Sequence, residues 1–483
     1  MGDKLRPDQD ESQAKVRIAW HRGHRRVLFV LPTGGGKTVV ATNLIGQAVA
    51  QGLRVLMLHH RRELVRQTSR TLSRNELDHG FIISRHEQDL GHPVQIATVQ
   101  TLAARMETMG PDAFDLIVAD EAHHCRAPQF MDPLDFFQGA RALGLTATPR
   151  RTDGQPLGPP FDAMVLGPSV QWLTDEGHLT RAVFYRPPTR VDLAAIRIRH
   201  GEQVSADLIR ACAEADFWGD MIQEYRRNLG HGTAIAFCRS VEHAETVAAE
   251  FTGAGIAAAS IDGRMNDDQR LDLLGRLEQK ELKVLASCAL IGEGLDIPSV
   301  DGCLLLRKMG SEIDYLQAVG RALRVSPGKD RAVVLDFFGN SLPKAHGHYL
   351  ANRHWSLDGR KKRARSEVHA KDCRRCYATI SLNAKVCPEC GAKYQGPPQA
   401  GGEELTGVPV QLILSNEAKE LAAAEEMLKR RQRKLEESQC RTYEDFLRLG
   451  IARGYSKPQG WARHRARARN SRWGQRQPIA NGR

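Results

Sequence analysis

The first clear pattern is an apolar run, Val27-Leu28-Phe29-Val30-Leu31, between charged residues and a glycine cluster. A short continuous apolar run bounded by turn signals reads as a buried strand. From Thr38 to Ala50 apolar residues recur at helical spacing, so strand, glycine loop and helix follow one another. A second run, Asp115-Leu116-Ile117-Val118-Ala119, predicts another buried strand, ending on Asp120 and Glu121. Residues 150–205 break the pattern with Pro156, Pro159, Pro160, Pro168, Pro187 and Pro188, which marks the edge of a first domain and a connection; a short helix is expected within Val191 to Asp207. Gln395 to Gly407 reads as a linker. Leu414, Leu421, Leu428 and Leu435 then repeat every seven residues, but Ala418, Glu425 and Gln432 make a poor companion seam. A coiled coil needs both seams apolar, so a charged helix packed on its own chain is expected instead. Thr442 to Leu447 starts a further helix.

The glycine cluster carries chemistry. Residues Leu31 to Thr38 read LPTGGGKT. Gly34, Gly35 and Gly36 let backbone wrap a phosphate, and the amides at the helix start face the anion. Lys37 would reach the β- and γ-phosphates of ATP, and Thr38 would hold magnesium. Asp120 and Glu121 fit a magnesium-holding carboxylate and the base that orients and deprotonates the attacking water.

The order of further motifs resembles the superfamily 2 helicases and translocases of the DEAD/DEAH-box class, with a core like that of type III restriction motors and a phage or bacterial character. The resemblance runs from about Leu5 to Phe338. Leu5-Arg6-Pro7 with Gln9 resembles the adenine-reading motif, with Asp8 where an aromatic often stands. His60 to Gln67, Ala97 to Leu102, Leu145 to Pro149, Ile235 to Ser240, Gly292 to Pro298 and Gln317 to Arg324 follow in the family's order. The resemblance implies two tandem RecA-like P-loop domains of the α/β class, with parallel sheets and ATP between them. It implies Gln9 and Gln317 at the nucleotide, Gly294 and Asp296 at the nucleotide ribose or the domain interface, and His123, Thr146 and Thr148 coupling nucleotide state to closure. Arg61, Thr98, Gln100 and Arg239 map to positions that contact a nucleic-acid backbone. Arg321 and Arg324, three apart, are expected on one helix face, where two guanidiniums can clamp a γ-phosphate. The position often held by threonine falls on Cys288, a weak donor.

Ten cysteines in a long α/β chain do not suggest a disulfide scaffold. Cys373, Cys376, Cys387 and Cys390 form two CxxC pairs, the pattern of a four-thiolate structural zinc site in a zinc-ribbon or knuckle module. With the basic run Arg360 to Arg365 upstream, this module is either a nucleic-acid clamp or a cap on the second domain. From Arg441 to Arg483 eleven basic residues face two acids, with Tyr455, Trp461 and Trp473 interleaved, which reads as a nucleic-acid-binding tail or else a solubilising terminus. The expected organisation is a first domain over 1–165, a connection over 166–205, a second domain over 206–345, the zinc module over 360–394, a linker over 395–410, a charged helix over 411–440 and a basic tail over 441–483.

The net charge of +12 suits a polyanionic partner, with DNA favoured over RNA. No stretch approaches the roughly 20 apolar residues of a membrane span, and the start MGDKLRPDQ has neither a signal core nor a myristoylation pattern. A cytoplasmic monomer is expected. Three functions fit: an ATP-driven helicase or translocase, a duplex translocase or restriction or remodelling motor that does not separate strands, and a zinc-dependent nucleic-acid-binding protein with a vestigial ATPase.

Overall fold

The computed structural model describes residues 4–124, 128–150, 157, 160–189, 191, 196–199, 202–288, 300–351, 353, 355–357, 370–394, 411–414, 436–437, 439–440, 442–453 and 458–473. Gly294, Asp296, the basic run 360–365, the linker 395–410, Leu421, Leu428, Leu435 and Tyr455 lie outside the described residues.

The first lobe alternates strand and helix: α1 (Pro7–His21), β1 (Arg26–Val30), α2 (Lys37–Ala50), β2 (Val55–His59), α3 (Arg62–Arg74), β3 (His79–Ile82), β4 (Val94–Thr98), α4 (Val99–Arg105), β5 (Leu116–Ala119), α5 (Pro128–Phe136), β6 (Arg141–Thr146) and β7 (Ala163–Leu166). The strands pair in parallel in the order β7-β1-β6-β5-β2-β4-β3. Successive side chains leave a strand on opposite faces. Val27 and Phe29 therefore enter one core and Leu28 and Val30 another, and the run is apolar throughout because helices cover both faces.

The second lobe holds α6 (Val170–Asp175), β8 (Ala182–Tyr185), a hairpin of β9 (Ile198–Arg199) and β10 (Glu202–Gln203), α7 (Ser205–Glu214), α8 (Phe217–Asn228), β11 (Ala234–Phe237), α9 (Val241–Gly253), β12 (Ala258–Ile261), α10 (Asp267–Glu278), β13 (Val284–Ser287), β14 (Gly302–Leu305), α11 (Glu312–Ala322) and β15 (Ala332–Asp336). Its six-stranded sheet runs β12-β13-β11-β14-β15-β8, parallel throughout. Ala234 and Ala236 face one core, Ile235 and Phe237 the other. The expected connection thus contains structure of its own. α6 and β8 belong to the second lobe, because Leu173, Ala182 and Phe184 are apolar and buried in its core. Within Val191 to Asp207 the described residues form the short hairpin, and the helix begins only at Ser205.

A two-stranded unit of β16 (Ala370–Asp372) and β17 (Thr379–Ser381) carries the paired cysteines. The chain then returns to the first sheet, where β18 (Gln411–Leu414) pairs antiparallel with β7. This corrects the helix expected from residue 411. Leu412-Ile413-Leu414 is a continuous apolar run, and register against Val165, Met164 and Ala163 covers an edge that would otherwise present unpaired backbone.

Residues 416–483 form a separate compact unit. Within it, helices Tyr443–Ala452 and Pro458–Trp473 enclose Phe446, Ala462 and Cys440. Thr442 caps the first helix by accepting from the Asp445 amide, as its Thr-x-x-Asp spacing suggests.

Candidate nucleotide site and cysteine cluster

Five of the parallel strands of the first lobe deliver site residues at their carboxyl ends, where ligands gather in open α/β sheets. β1 leads into the glycine loop, whose Gly34 and Gly36 have φ of +82° and +98°. A side chain at Gly36 would run into Gln9 Nε2. Behind the loop, Arg6 donates to the Gly35 carbonyl at 2.9 Å and Gln9 donates to the same oxygen at 3.4 Å. Gln9 is buried and also caps α1 through the Arg6 amide. Asp8, which stands where an aromatic is often found, pairs with the Arg6 guanidinium at 3.0 Å and braces it against the loop.

Lys37 opens α2, and its Nζ donates to the Leu31 carbonyl at 3.2 Å. Burial lowers its pKa, opposed by the charges of Glu121 and Asp120. Thr38 follows on the first turn of α2. Asp120 ends the β5 run, and its Oδ1 accepts from the Glu121 amide at 2.9 Å. Burial, then the neighbouring Glu121 charge, raises the Asp120 pKa to about 6, against the pull of Lys37. Glu121 sits at φ +49°, a left-handed backbone unusual for a side chain-bearing residue. Its Oε2 lies 3.3 Å from His123 Nδ1, and that nitrogen lies 3.4 Å from Thr146 Oγ1. Thr146 donates to the Thr148 carbonyl at 3.0 Å. A continuous polar line thus joins Glu121, His123, Thr146 and Thr148.

His59 was not singled out by sequence. It ends β2, fully buried, with Nδ1 3.9 Å from Asp120 Oδ2 and Nε2 2.8 Å from Thr68 Oγ1. Burial, and after it the neighbouring His60, lowers its pKa to about 3. The ring is therefore neutral beside the carboxylate. The only sequence signal was a histidine closing an apolar run beside the His60–Gln67 motif.

The second lobe meets this site through α11. A Cβ on Gly320 would lie 2.7 Å from Thr33 Cβ, and one on Gly34 would lie 2.9 Å from Leu179 Cδ2 and 3.7 Å from Arg324 Cγ. Arg321 is buried, and both it and Arg324 lie near enough to Lys37 to depress its pKa further. Gln317 is buried on the same helix. The two arginines do not share a helix, however. α11 ends at Ala322, and Lys329 Nζ donates to the carbonyl of Ala322 at 2.6 Å and to that of Arg324, beyond the helix, at 2.9 Å. Arg324 lies in the turn just beyond.

The residues mapped to a nucleic-acid backbone also stand at strand ends. Arg61 precedes α3 and is half-buried. Thr98 is buried and donates to Thr101 Oγ1 at 3.0 Å, while Gln100 is exposed on α4. Arg239 follows β11; its amide donates to His243 Nδ1 at 3.1 Å, and its carbonyl accepts from Cys288 Sγ at 3.2 Å.

The four paired cysteines converge. Their sulfurs all lie within 4.8 Å of one another, with Cys373 to Cys390 at 3.5 Å and Cys376 to Cys387 at 3.7 Å. A tetrahedral zinc with roughly 2.3 Å bonds to sulfur needs edges of about 3.8 Å, so the donor set fits. The two turns mirror one another. Tyr377 and Gly391, at φ +62° and +71°, each follow a second cysteine, and their amides donate to the carbonyls of Cys373 and Cys387 at 2.8 and 2.9 Å. The unit packs on the second lobe: Cys373, Cys376, Ala378 and Cys387 share a core with Tyr185 and Leu335. Arg186 at the end of β8 pairs with Asp372 at 2.6 Å, and Tyr185 donates to Glu389 at 3.2 Å. The cap half of the cap-or-clamp alternative is thus physically built; Arg374 and Arg375 remain exposed on the first turn.

Comparisons with known proteins agree with this geometry. Residues 3–151 match the family described as type III restriction enzyme, res subunit, and residues 218–326 match the helicase conserved C-terminal domain. A 51.5 kDa protein of a Lactococcus phage is 30% identical over 369 residues, covering 75% of this chain and 77% of its own. The type I restriction enzyme EcoAI endonuclease subunit of Escherichia coli is 26% identical over 365 residues, covering 67% of this chain but 45% of its own. Among solved structures, the ATP-dependent type ISP restriction-modification enzyme LlaBIII bound to DNA shares the fold, with a TM-score of 0.51 and 19% identity over 70% of this chain and 28% of that one. The chain belongs to the superfamily 2 helicases of the restriction-motor type, a family of nucleic-acid-dependent ATPases.

Proposed function

We propose that this chain hydrolyses ATP between its two lobes and converts the closing and opening of that cleft into movement along DNA. The observation that carries this reading is the approach of α11 and the turn after it to the glycine loop, with Gly320 against Thr33 and Arg324 against Gly34. Both halves of a triphosphate site then come from one chain, so a monomer suffices.

In this reading Gly34, Gly35, Gly36 and Lys37 cradle the phosphates, and Gln9, Gln317, Gly294 and Asp296 complete the nucleotide site. Thr38 and Asp120 would hold magnesium, which when bound neutralises phosphate oxygens. Glu121 orients and deprotonates the attacking water, and His123 holds its carboxylate. Arg321 and Arg324 stabilise the charge that develops on the transferred phosphoryl group. Removing such a finger lowers turnover by roughly 10³–10⁵. Thr146 and Thr148 tie the Glu121 side of the site to closure. Arg61, Thr98, Gln100 and Arg239 grip the backbone of the strand, an interaction that carries no sequence information. Zinc on Cys373, Cys376, Cys387 and Cys390 would crosslink the small unit packed on β8. The cytoplasm is the proposed compartment.

The test is hydrolysis measured with single- and double-stranded DNA and RNA. Wild type should be stimulated by DNA, and Lys37→Ala and Arg321→Ala should each abolish stimulated turnover. Stimulated hydrolysis that survives Lys37→Ala sinks the assignment. A second reading, translocation on duplex without strand separation, is favoured by the match to restriction subunits; strand displacement from substrates with either overhang separates the two.

A further inference from the structure

The lobes are joined a second time beyond the nucleotide cleft. After β15 the chain follows the second lobe to Tyr349 and Leu350, which pack in the core around Phe184 and Tyr315. Within a few residues it is back on the first lobe, where Leu357 is buried and Trp355 packs beside it among Leu28, Val30 and Met164. The described residues of this stretch, Tyr349 to Ala351, Arg353 and Trp355 to Leu357, thus strap one lobe to the other. Arg353 shapes it: its guanidinium donates to the carbonyls of Tyr349, Ala351, His346 and His348 at 2.9–3.3 Å.

Arg353 gives its remaining donor to Glu312, with Nε 2.8 Å from Oε1. Glu312 is the first residue of α11, the helix that carries Gly320 and Arg321. Its other oxygen, Oε2, lies 3.1 Å from Arg150 Nη1. Arg150 belongs to the first lobe, immediately after Leu145 to Pro149, and its guanidinium lies 5.3 Å from the ring centroid of Trp355. One carboxylate therefore joins the strap, the phosphate-facing helix and the segment that continues from Thr146 and Thr148. The Glu312 and Arg353 side chains are 14% and 10% exposed, so this pair is poorly screened by solvent, unlike an ordinary surface pair. Arg150 is 49% exposed, so its link is the weakest and most readily released.

We propose that Glu312, held in place by Arg353, is a positioning residue that fastens the closed lobes through Arg150 and Trp355 and so sets Arg321 and Arg324 against the glycine loop. The inference rests on the reading of those two arginines as phosphate-facing groups. The pair touches no reacting atom. Its effect belongs to the population of the closed cleft, whereas the loop that binds ATP lies wholly in the first lobe.

The test uses the full chain with Arg150→Ala, Arg150→Lys, Glu312→Gln and the Arg150→Ala/Glu312→Gln double variant. Arg150→Ala should lower the single-stranded-DNA-stimulated kcat by about three- to tenfold while KM for ATP stays within about twofold. Arg150→Lys keeps the cation and should restore most of the loss. The double variant should be no slower than Glu312→Gln alone, as expected for two partners in one interaction. Hydrogen exchange at the Thr33 to Gly36 amides, read without nucleotide, should rise in Arg150→Ala. Unchanged kcat and exchange in that variant, or single effects that multiply in the double, overturn the proposal. If wild type shows no DNA-stimulated hydrolysis, the site reading fails on its own, and the exchange measurement still decides the strap.

Discussion

At the scale of single residues, the site is governed by burial of charge. Asp120 and Lys37 both sit where their charged forms are disfavoured, and each offsets part of the other's penalty. The Asp120 carboxyl is raised to about 6, so the protonated form accumulates below that pH in the free protein. A magnesium ligand must be ionised, so metal-dependent nucleotide affinity should fall as pH drops through about 6, by about tenfold per unit once the acid form dominates. His59, held neutral by burial down to about pH 3, adds no second titration above that. Titration calorimetry of magnesium-ATP between pH 5 and pH 8 is the check (roughly the span over which such a carboxyl titrates). A flat profile would overturn the combination of a raised Asp120 carboxyl with a metal-holding role. The candidate residues Lys37 and Thr38, and Asp120 and Glu121, stand out in the sequence because each pair is adjacent within a local motif. His59 does not, because its relation to Asp120 arises only when β2 and β5 pair.

Among the elements, the cysteine unit shows how a small structure is held by what it packs on. Its two strands have three residues each and could not bury a core alone. Instead three of its cysteines complete the core beneath β8 and α8. Metal removal should therefore be felt in the second lobe as well as locally. A chelator, or Cys387→Ser, should lower the thermal midpoint by roughly 6–12 °C, the shift expected for about 3 kcal/mol in a domain near 200 residues. Scanning calorimetry with metal content measured in parallel reads it; equal midpoints for loaded and stripped protein would mean the metal contributes no structure. The CxxC pairs announced the site, but not the strand it leans on. Other elements were hidden for equally physical reasons. β18 is four residues at the front of a leucine repeat, and only the open edge of β7 makes it a strand. The end of α11 falls before Arg324, where Lys329, a residue outside the helix, donates to the carbonyls of Ala322 and Arg324.

Taken as a whole, the molecule combines a charge of +12 with backbone-gripping candidates at the strand ends of two sheets. The sequence order of motifs made two α/β lobes legible. It could not disclose the strap that ends at Trp355 and Leu357 or the return of β18 to the first sheet, because both depend on which surfaces lie within reach after folding. The final unit adds a distinct electrostatic element. Its helix Pro458–Trp473 carries five arginines and no acid, while Arg453 and Arg465 are partly neutralised by Glu437. Binding through phosphates releases counterions, so neutralising six to ten phosphates should weaken DNA affinity by about 10³–10⁵ between 50 and 200 mM salt. If this helix supplies part of the grip, deleting residues 442–483 should make that dependence shallower by about 0.9 in log–log slope for each phosphate the shortened chain leaves unneutralised. Every residue assigned to the nucleotide site precedes residue 415, so the deletion removes none of them and DNA-stimulated hydrolysis at saturating DNA should persist. Fluorescence anisotropy of a labelled oligonucleotide over a salt series measures both slopes. Identical slopes with and without the helix would make the tail a solubilising end, and the grip on phosphate would then have to come from the strand ends of the two lobes or from the arginines of the cysteine unit.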